Sequence, residues 1–301
     1  MRERALVQDV DTAENSSLLE RLALSEFTSH GRSVAEDLEL IRRCGWTGIE
    51  FCENKLSTVD HQAREELAML ADSGLTVCSV QASVHAVFPD QMAEEPRDPQ
   101  RRIDAFCRSM DRFADAAPEQ RPVFVLISGR APDHDLARAR DTLAACAIRL
   151  AEEAEQRGFR IGFEPLNPIL INEDTFLTAW DEALNLVECV GRDAFGLVCD
   201  LWNVWQQPDI ESDVLGSIDR VHLVHVSDWR DGGPRRLNDR LVPGEGVIPL
   251  GAWGTVLRHG NYRGPICVEL LSDEALDDSY LHRPMEDVLA ASRDSLAAAG
   301  W

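Results

Sequence analysis

Three carboxylates and one imidazole close four successive apolar runs in the second half of the chain. Glu164 ends Ile161-Gly162-Phe163-Glu164, and Asp200 ends Gly196-Leu197-Val198-Cys199-Asp200. His225 follows Leu223-Val224, and Glu269 follows Ile266-Cys267-Val268. Oxygen donors with one imidazole suit a single divalent cation, Mn²⁺ first, with Mg²⁺, Co²⁺ or Zn²⁺ as alternatives. One strand-end acid is ordinarily half of a buried ion pair. Four such groups crowded together without a cation would force large pKa shifts, so the set points to a metal site.

Bringing them together requires strands whose ends meet on one rim. Short β-rich runs fall at 22–27, 48–52, 76–81, 123–128, 160–164, 196–200, 220–226 and 266–270, with helical stretches between them. Ser33-Val34-Ala35-Glu36 reads as a capping box ahead of Val34, Leu38 and Ile41, with Gly45 as the stop. Ala63, Leu67 and Leu70 stripe a second helix. A long helix between Asp135 and Gly158 presents Leu136, Leu143, Ala147, Leu150 and Ala154. Leu250, Trp253 and Leu257 mark another, and Val288, Ser292 and Leu296 the last. Eight βα units predict a single-domain (β/α)₈ barrel over 21–301, preceded by a polar arm over 1–20. A doubly wound sheet would be expected to carry a glycine-rich turn after its first strand, and none is present. Long insertions at 84–98 and 228–246 follow the third and seventh runs, on the face where a barrel keeps its site.

The chain of 301 residues carries 53 Asp+Glu against 30 Lys+Arg, a net charge of −23. That field disfavours nucleic acid and anionic membranes, but not small neutral polyols. The eight cysteines include no C-x-x-C pair, and neither a signal-peptide core nor a long apolar run occurs. A reducing, cytoplasmic setting is expected.

Alternation along a strand puts Val221, Leu223 and His225 on one face, and Cys267 and Glu269 on one face. His222, of opposite parity, reads as structural. His85, after the third run, is a candidate acid/base or hydroxyl ligand, and Gln81 a candidate substrate contact. Glu50, which ends the inward register of the second run, reads as an extra carboxylate or, in preference, as a structural ion pair with Lys55 as its partner. Trp202, Trp205 and Trp229 flank the rim, where Trp229 offers a face to a sugar ring.

His225-Val-Ser-Asp228, then Asp239-Arg240-Leu-Val-Pro243-Gly244-Glu-Gly246, then Val268-Glu269 resemble the xylose isomerase-like TIM-barrel superfamily. Glu164-x-x-Asn167 and Asp200-x-x-Asn203 match its fifth- and sixth-strand motifs. The resemblance is strongest over 160–272, and its details look most like the inosose isomerase and sugar epimerase branch. It implies Glu164, Asp200, His225 and Glu269 as metal ligands, Glu164 and Glu269 also as the acid/base pair, and Arg240, Asn167 and Asn203 as substrate contacts. Many relatives have His where this chain has Asn203, which cannot shuttle a proton near neutral pH.

The implied activity is metal-dependent isomerisation or epimerisation of a keto-sugar or keto-cyclitol through an enediolate. A lyase shares the first step, as in inosose- or dehydroshikimate-type dehydratases or a C-glycoside-cleaving subunit. Leu24-Ser25-Glu26-Phe27-Thr28 followed by Asp37 and Ile41 resembles that last branch, which would require a second subunit; a homo-oligomer is the other expectation. Apurinic endonucleases of the superfamily need histidines where this chain has Asn203 and Leu241. A binder that keeps the shell without catalysis is the remaining class.

Overall fold

The computed structural model describes residues 17–233 and 235–301. Eight strands, β1 (Leu22–Ser25), β2 (Gly48–Cys52), β3 (Thr76–Gln81), β4 (Val123–Leu126), β5 (Arg160–Phe163), β6 (Phe195–Asp200), β7 (Val221–Val226) and β8 (Ile266–Val268), pair in chain order. All are parallel, and β8 closes on β1. The helices are α1 (Val34–Arg43), α2 (Asp60–Ala71), α3 (Pro99–Ala116), α4 (Leu136–Arg157), α5 (Trp180–Val190), α6 (Leu201–Val204), α7 (Ile210–Gly216), α8 (Leu250–His259) and α9 (Met285–Ala298). The expected (β/α)₈ barrel is the architecture found. Residues 1–16 of the expected arm lie outside the described residues, whereas Leu18–Arg21 forms a 3₁₀ turn with Leu18 buried.

Local signals explain the helix ends. Ser33 and Glu36 cap α1 reciprocally: Ser33 N–H donates to Glu36 Oε2 at 2.8 Å, and Glu36 N–H donates to Ser33 Oγ at 3.4 Å. Asp135 accepts from Arg138 N–H at the start of α4, and Gly158 at φ 71° ends it. Leu136 corrects the expected stripe. It is 43% exposed, because the first turn of α4 overhangs the barrel and burial begins at Ala139.

Small side chains fill the barrel's interior: Ala23, Cys78, Val123, Val125, Val198, Leu223 and Cys267 form a cluster of their own. Gly162 is required there, since a Cβ would stand 2.7 Å from Val198 Cγ2 and 3.0 Å from Val123 Cγ1. Two bulges interrupt the ladder. Between β2 and β3 the register steps from Ile49 opposite Val77 to Glu50 opposite Ser79. Between β6 and β7 it steps from Leu197 opposite Val221 to Val198 opposite Leu223, which sets Asp200 opposite His225.

Both long insertions are pinned. Buried Arg102 on α3 donates to the carbonyls of Ala86 (2.7 Å), Ala93 (2.7 Å) and Pro96 (3.2 Å), and pairs with Asp90 at 2.8 Å. Ala86 bridges Ile127 beyond the end of β4. No helix among the described residues is long and apolar enough to cross a membrane.

Candidate active site

Glu164, one residue beyond β5, Asp200 at the end of β6, His225 on β7 and Glu269, one residue beyond β8, converge at the C-terminal rim. Each offers one ligand atom, all four atoms lie within 4.8 Å of one another, and all four residues are buried. His225 Nε2 is 2.9 Å from Glu50 Oε2. Nδ1 points the other way, 3.4 Å from Glu269 Oε2 and 3.9 Å from Glu164 Oε1, with no hydrogen-bond partner among the described residues. A buried imidazole nitrogen left unpaired among three carboxylates is what a divalent cation would satisfy, so the donor set fits one.

The electrostatics agree. Burial pushes Glu269 up to about 8, against the pull of His225 and Arg240. Burial likewise pushes Asp200 up to about 6, with Arg240 opposing. Burial alone would discharge His225, but Glu269 and Glu50 outweigh it and raise its pKa well above the ordinary value. With protein groups alone, the carboxylates are balanced by an imidazolium and one guanidinium. A cation would take the imidazolium's place, releasing its proton.

That guanidinium is Arg240. Its Nη1 is 2.9 Å from Asp200 Oδ2 and 2.8 Å from Glu269 Oε2, and its plane covers Trp202 at 4.9 Å. Asp228 explains how a residue from the long loop after β7 comes to lie here. Its carboxylate accepts from the N–H groups of Trp229 (2.8 Å), Gly244 (2.8 Å), Gly246 (3.0 Å) and Ile248 (2.9 Å). Its backbone exchanges two hydrogen bonds with Leu241, the residue next to Arg240. A side chain at Gly246 would put its Cβ 2.5 Å from Asp228 Oδ1.

Asn203 Nδ2 donates to Glu164 Oε1 at 2.9 Å and Asp200 Oδ2 at 2.8 Å, and its Oδ1 accepts from Asn167 N–H at 3.0 Å. Asn167 in turn donates from Nδ2 to the carbonyls of Trp202 and Asn203, both at 3.4 Å. Trp229 is half-buried against Trp202 and Trp205, with ring centroids 4.8 and 5.9 Å apart, and Arg235 lies over its face. His85 is buried outside the four-residue set and donates from Nδ1 to Ala82 O at 3.2 Å. Gln81 is buried as the last residue of β3.

Glu50 and Lys55 are not a pair. Lys55 turns away into a buried pocket with Asp37 and Glu26, while Glu50 faces His225 and accepts from Ser79 Oγ at 2.7 Å. His222 is structural: its Nδ1 donates to Ile161 O at 3.0 Å, and its ring fills the space where a Gly196 Cβ would stand. Ser79 and Asp228 touch this cluster or its loop without standing at a strand-end position that would single them out. Asp228 was visible inside His225-Val-Ser-Asp228, but nothing in the sequence marked Ser79 as a partner of Glu50.

The family described as xylose isomerase-like TIM barrel matches residues 38–299. An inosose isomerase of Halalkalibacterium halodurans is 28% identical over 149 residues, 48% of this chain and 50% of that one. A 3-dehydroshikimate dehydratase of Pseudomonas aeruginosa is 27% identical over 255 residues, 80% of this chain and 36% of that one. The chain thus spans half or less of the length of these two relatives. A crystal structure of the IOLI protein with a bound zinc atom superposes with a TM-score of 0.74 at 19% identity, covering 93% of this chain and 97% of that one, which bears on the fold alone. With the match covering most of its length, the chain belongs to the xylose isomerase-like TIM-barrel family.

Proposed function

We propose that this protein is a divalent-metal-dependent isomerase or epimerase of a keto-sugar or keto-cyclitol. The observation that carries the reading is the convergence of Glu164, Asp200, Glu269 and the unpaired Nδ1 of His225 within 4.8 Å. These four residues would hold the ion. A bound divalent cation supplies Lewis acidity toward a carbonyl oxygen and the adjacent hydroxyl.

The chain's own groups do the rest. Glu164 and Glu269, from strands on either side of β6 and β7, are the carboxylates that take a proton from the carbon beside the carbonyl and return it. Arg240 holds Glu269 and Asp200 through Nη1, which leaves the other N–H groups of its guanidinium, among them the buried Nε with no partner among the described residues, to donate to a substrate oxygen. Asn203 sets the angle of Glu164 and Asp200 and moves no proton itself. Trp229 would present its half-buried face to the ring of the substrate.

A lyase on the same residues is the second reading. It is favoured by the dehydratase match over 80% of this chain and by His85, which could serve elimination as a base. The test is an NMR assay in D₂O with metal-loaded protein on a panel of keto-sugars and inososes. Deuterium entering the carbon beside the carbonyl, with the skeleton retained, supports the isomerase reading. Loss of water or an aglycone moves the assignment to the lyase. Neither exchange nor elimination by protein that carries a full equivalent of metal would sink both.

A further inference from the structure

We infer that Glu50 is a positioning residue for the metal centre: it accepts a hydrogen bond from Nε2–H of His225, keeping the proton on that nitrogen, and so leaves Nδ1, as a lone pair, facing the carboxylate side. This rests on the metal-site reading above. Glu50 is fully buried on β2, across the barrel from β7, and its Oε2 lies 2.9 Å from His225 Nε2. Ser79 Oγ donates to the same oxygen at 2.7 Å. Ser79 lies level with Glu50 only because the β2–β3 ladder slips one residue there; an unslipped ladder would put Cys78 opposite Glu50. The bulge between β6 and β7 does the same for His225, bringing it level with Asp200. Each bulge thus sits beneath one end of the Glu50–His225 contact.

A neutral imidazole ligates through one nitrogen while the other donates, and an anionic acceptor at the donor end makes the ligating nitrogen more basic. Glu50 supplies that acceptor from a fully buried position on β2. Below it lies a thiol layer, with Cys267 Sγ 3.6 Å from Ser79 Oγ and 3.1 Å from Cys78 Sγ. Glu50, His225 and Cys267 also bring one donor atom each within 4.8 Å. The competing assignment is therefore a second cation held by Glu50 and Cys267.

The experiment is a Co²⁺ titration against a competing chelator, followed by the visible d–d spectrum, on wild type, Glu50→Ala, Glu50→Gln and Ser79→Ala. Loss of an outer hydrogen-bond partner of a metal-bound His typically weakens affinity about 10–100-fold. Glu50→Ala should show that loss, with a shifted d–d band. Glu50→Gln should lose less, because its amide oxygen still accepts from Nε2, and Ser79→Ala should lose only a few-fold. If Glu50→Ala does not fold, the other two variants decide. A lower melting temperature with unchanged Co²⁺ affinity and spectrum in the Glu50 variants makes Glu50 a packing residue and overturns the inference. Two equivalents of Co²⁺, with a near-ultraviolet thiolate band that Cys267→Ser abolishes, overturns it in favour of the second cation. Wild type that binds no Co²⁺ removes the metal reading as well. Wild type that binds Co²⁺ tightly, shows the expected loss in Glu50→Ala and yet catalyses no exchange removes only the proposed reaction.

Discussion

Arg240 meets Glu269 twice through one nitrogen: Nη1 lies 2.8 Å from the carboxylate Oε2 and 3.4 Å from the backbone carbonyl. The same nitrogen reaches Asp200, so a fixed positive charge stands beside two proposed ligands. Arg240→Ala should leave one equivalent of metal bound, since removing that charge makes the shell more anionic. It should lower kcat/KM about 100-fold, mostly through KM, as a donor to substrate oxygens is lost. Metal analysis beside steady-state kinetics checks this; unchanged kinetics would take Arg240 out of the site.

Glu269→Gln keeps an oxygen for the cation and the contact with Arg240, but cannot carry a proton. Turnover should fall about 10²–10⁴-fold, the range of a general acid–base contribution, with most of the metal retained. A variant that loses its fold instead would show Glu269 to be structural.

Asp228 ties four backbone N–H groups of the loop that delivers Arg240. Asp228→Ala should raise KM about tenfold or more, because the loop no longer holds Arg240 in place. Limited proteolysis should speed up within residues 229–246 and not elsewhere. An unchanged cleavage pattern would mean that the Leu241 bridge alone holds the loop.

Burial lowers the pKa of His222 to about 4, with Arg160 adding to the effect. The unfolded chain accepts this proton near pH 6.5, whereas the folded chain does not until near pH 4. The unfolded state therefore binds more protons in between, and stability is lost as pH falls through that window. His222→Gln lacks this loss. The stability difference between wild type and variant should shift by about 3 kcal/mol in the variant's favour from pH 7 to 4. Parallel urea titrations at both pH values decide, and a constant difference would place the His222 pKa near its ordinary value.

Lys55 Nζ serves Asp37, Ser29 O at 3.1 Å and Glu26 Oε1 at 3.8 Å, all within a buried pocket. Burial already pushes Glu26 up to about 8 despite the lysine. Lys55→Met leaves both acids without their cation and should cost about 3–5 kcal/mol in urea unfolding. A loss under about 1 kcal/mol would mean that Arg32, 3.4 Å from Asp37, takes over.

Where the sequence was legible, the signals were short-range. Ser33 with Glu36, and Asp135 with Gly158, announce helix ends through residues that touch their own neighbours. The three strand-end acids and His225 announce themselves by position, and the topology brings all four together. Glu50 failed for the opposite reason. Lys55, five residues away, is the natural partner by sequence, while the actual one is 175 positions distant. Parity is equally blind to bulges. Strict alternation makes His222 structural, yet the ladder beneath it slips, and its role follows from the space over Gly196. Leu136 misled because helical spacing does not say where a helix first meets the barrel.

The two slipped ladders also bear on how this barrel could be recombined. Counting up from Val221 without the slip would seat Val224, not His225, opposite Asp200. A β7 transplanted from a barrel with an even ladder would therefore point its histidine at the helix layer, however well its sequence aligned. Fragments of this fold are interchangeable only if cut so that β6 travels with β7 and β2 with β3. A half-barrel joined between β4 and β5 keeps both pairs whole, and a single-strand graft does not.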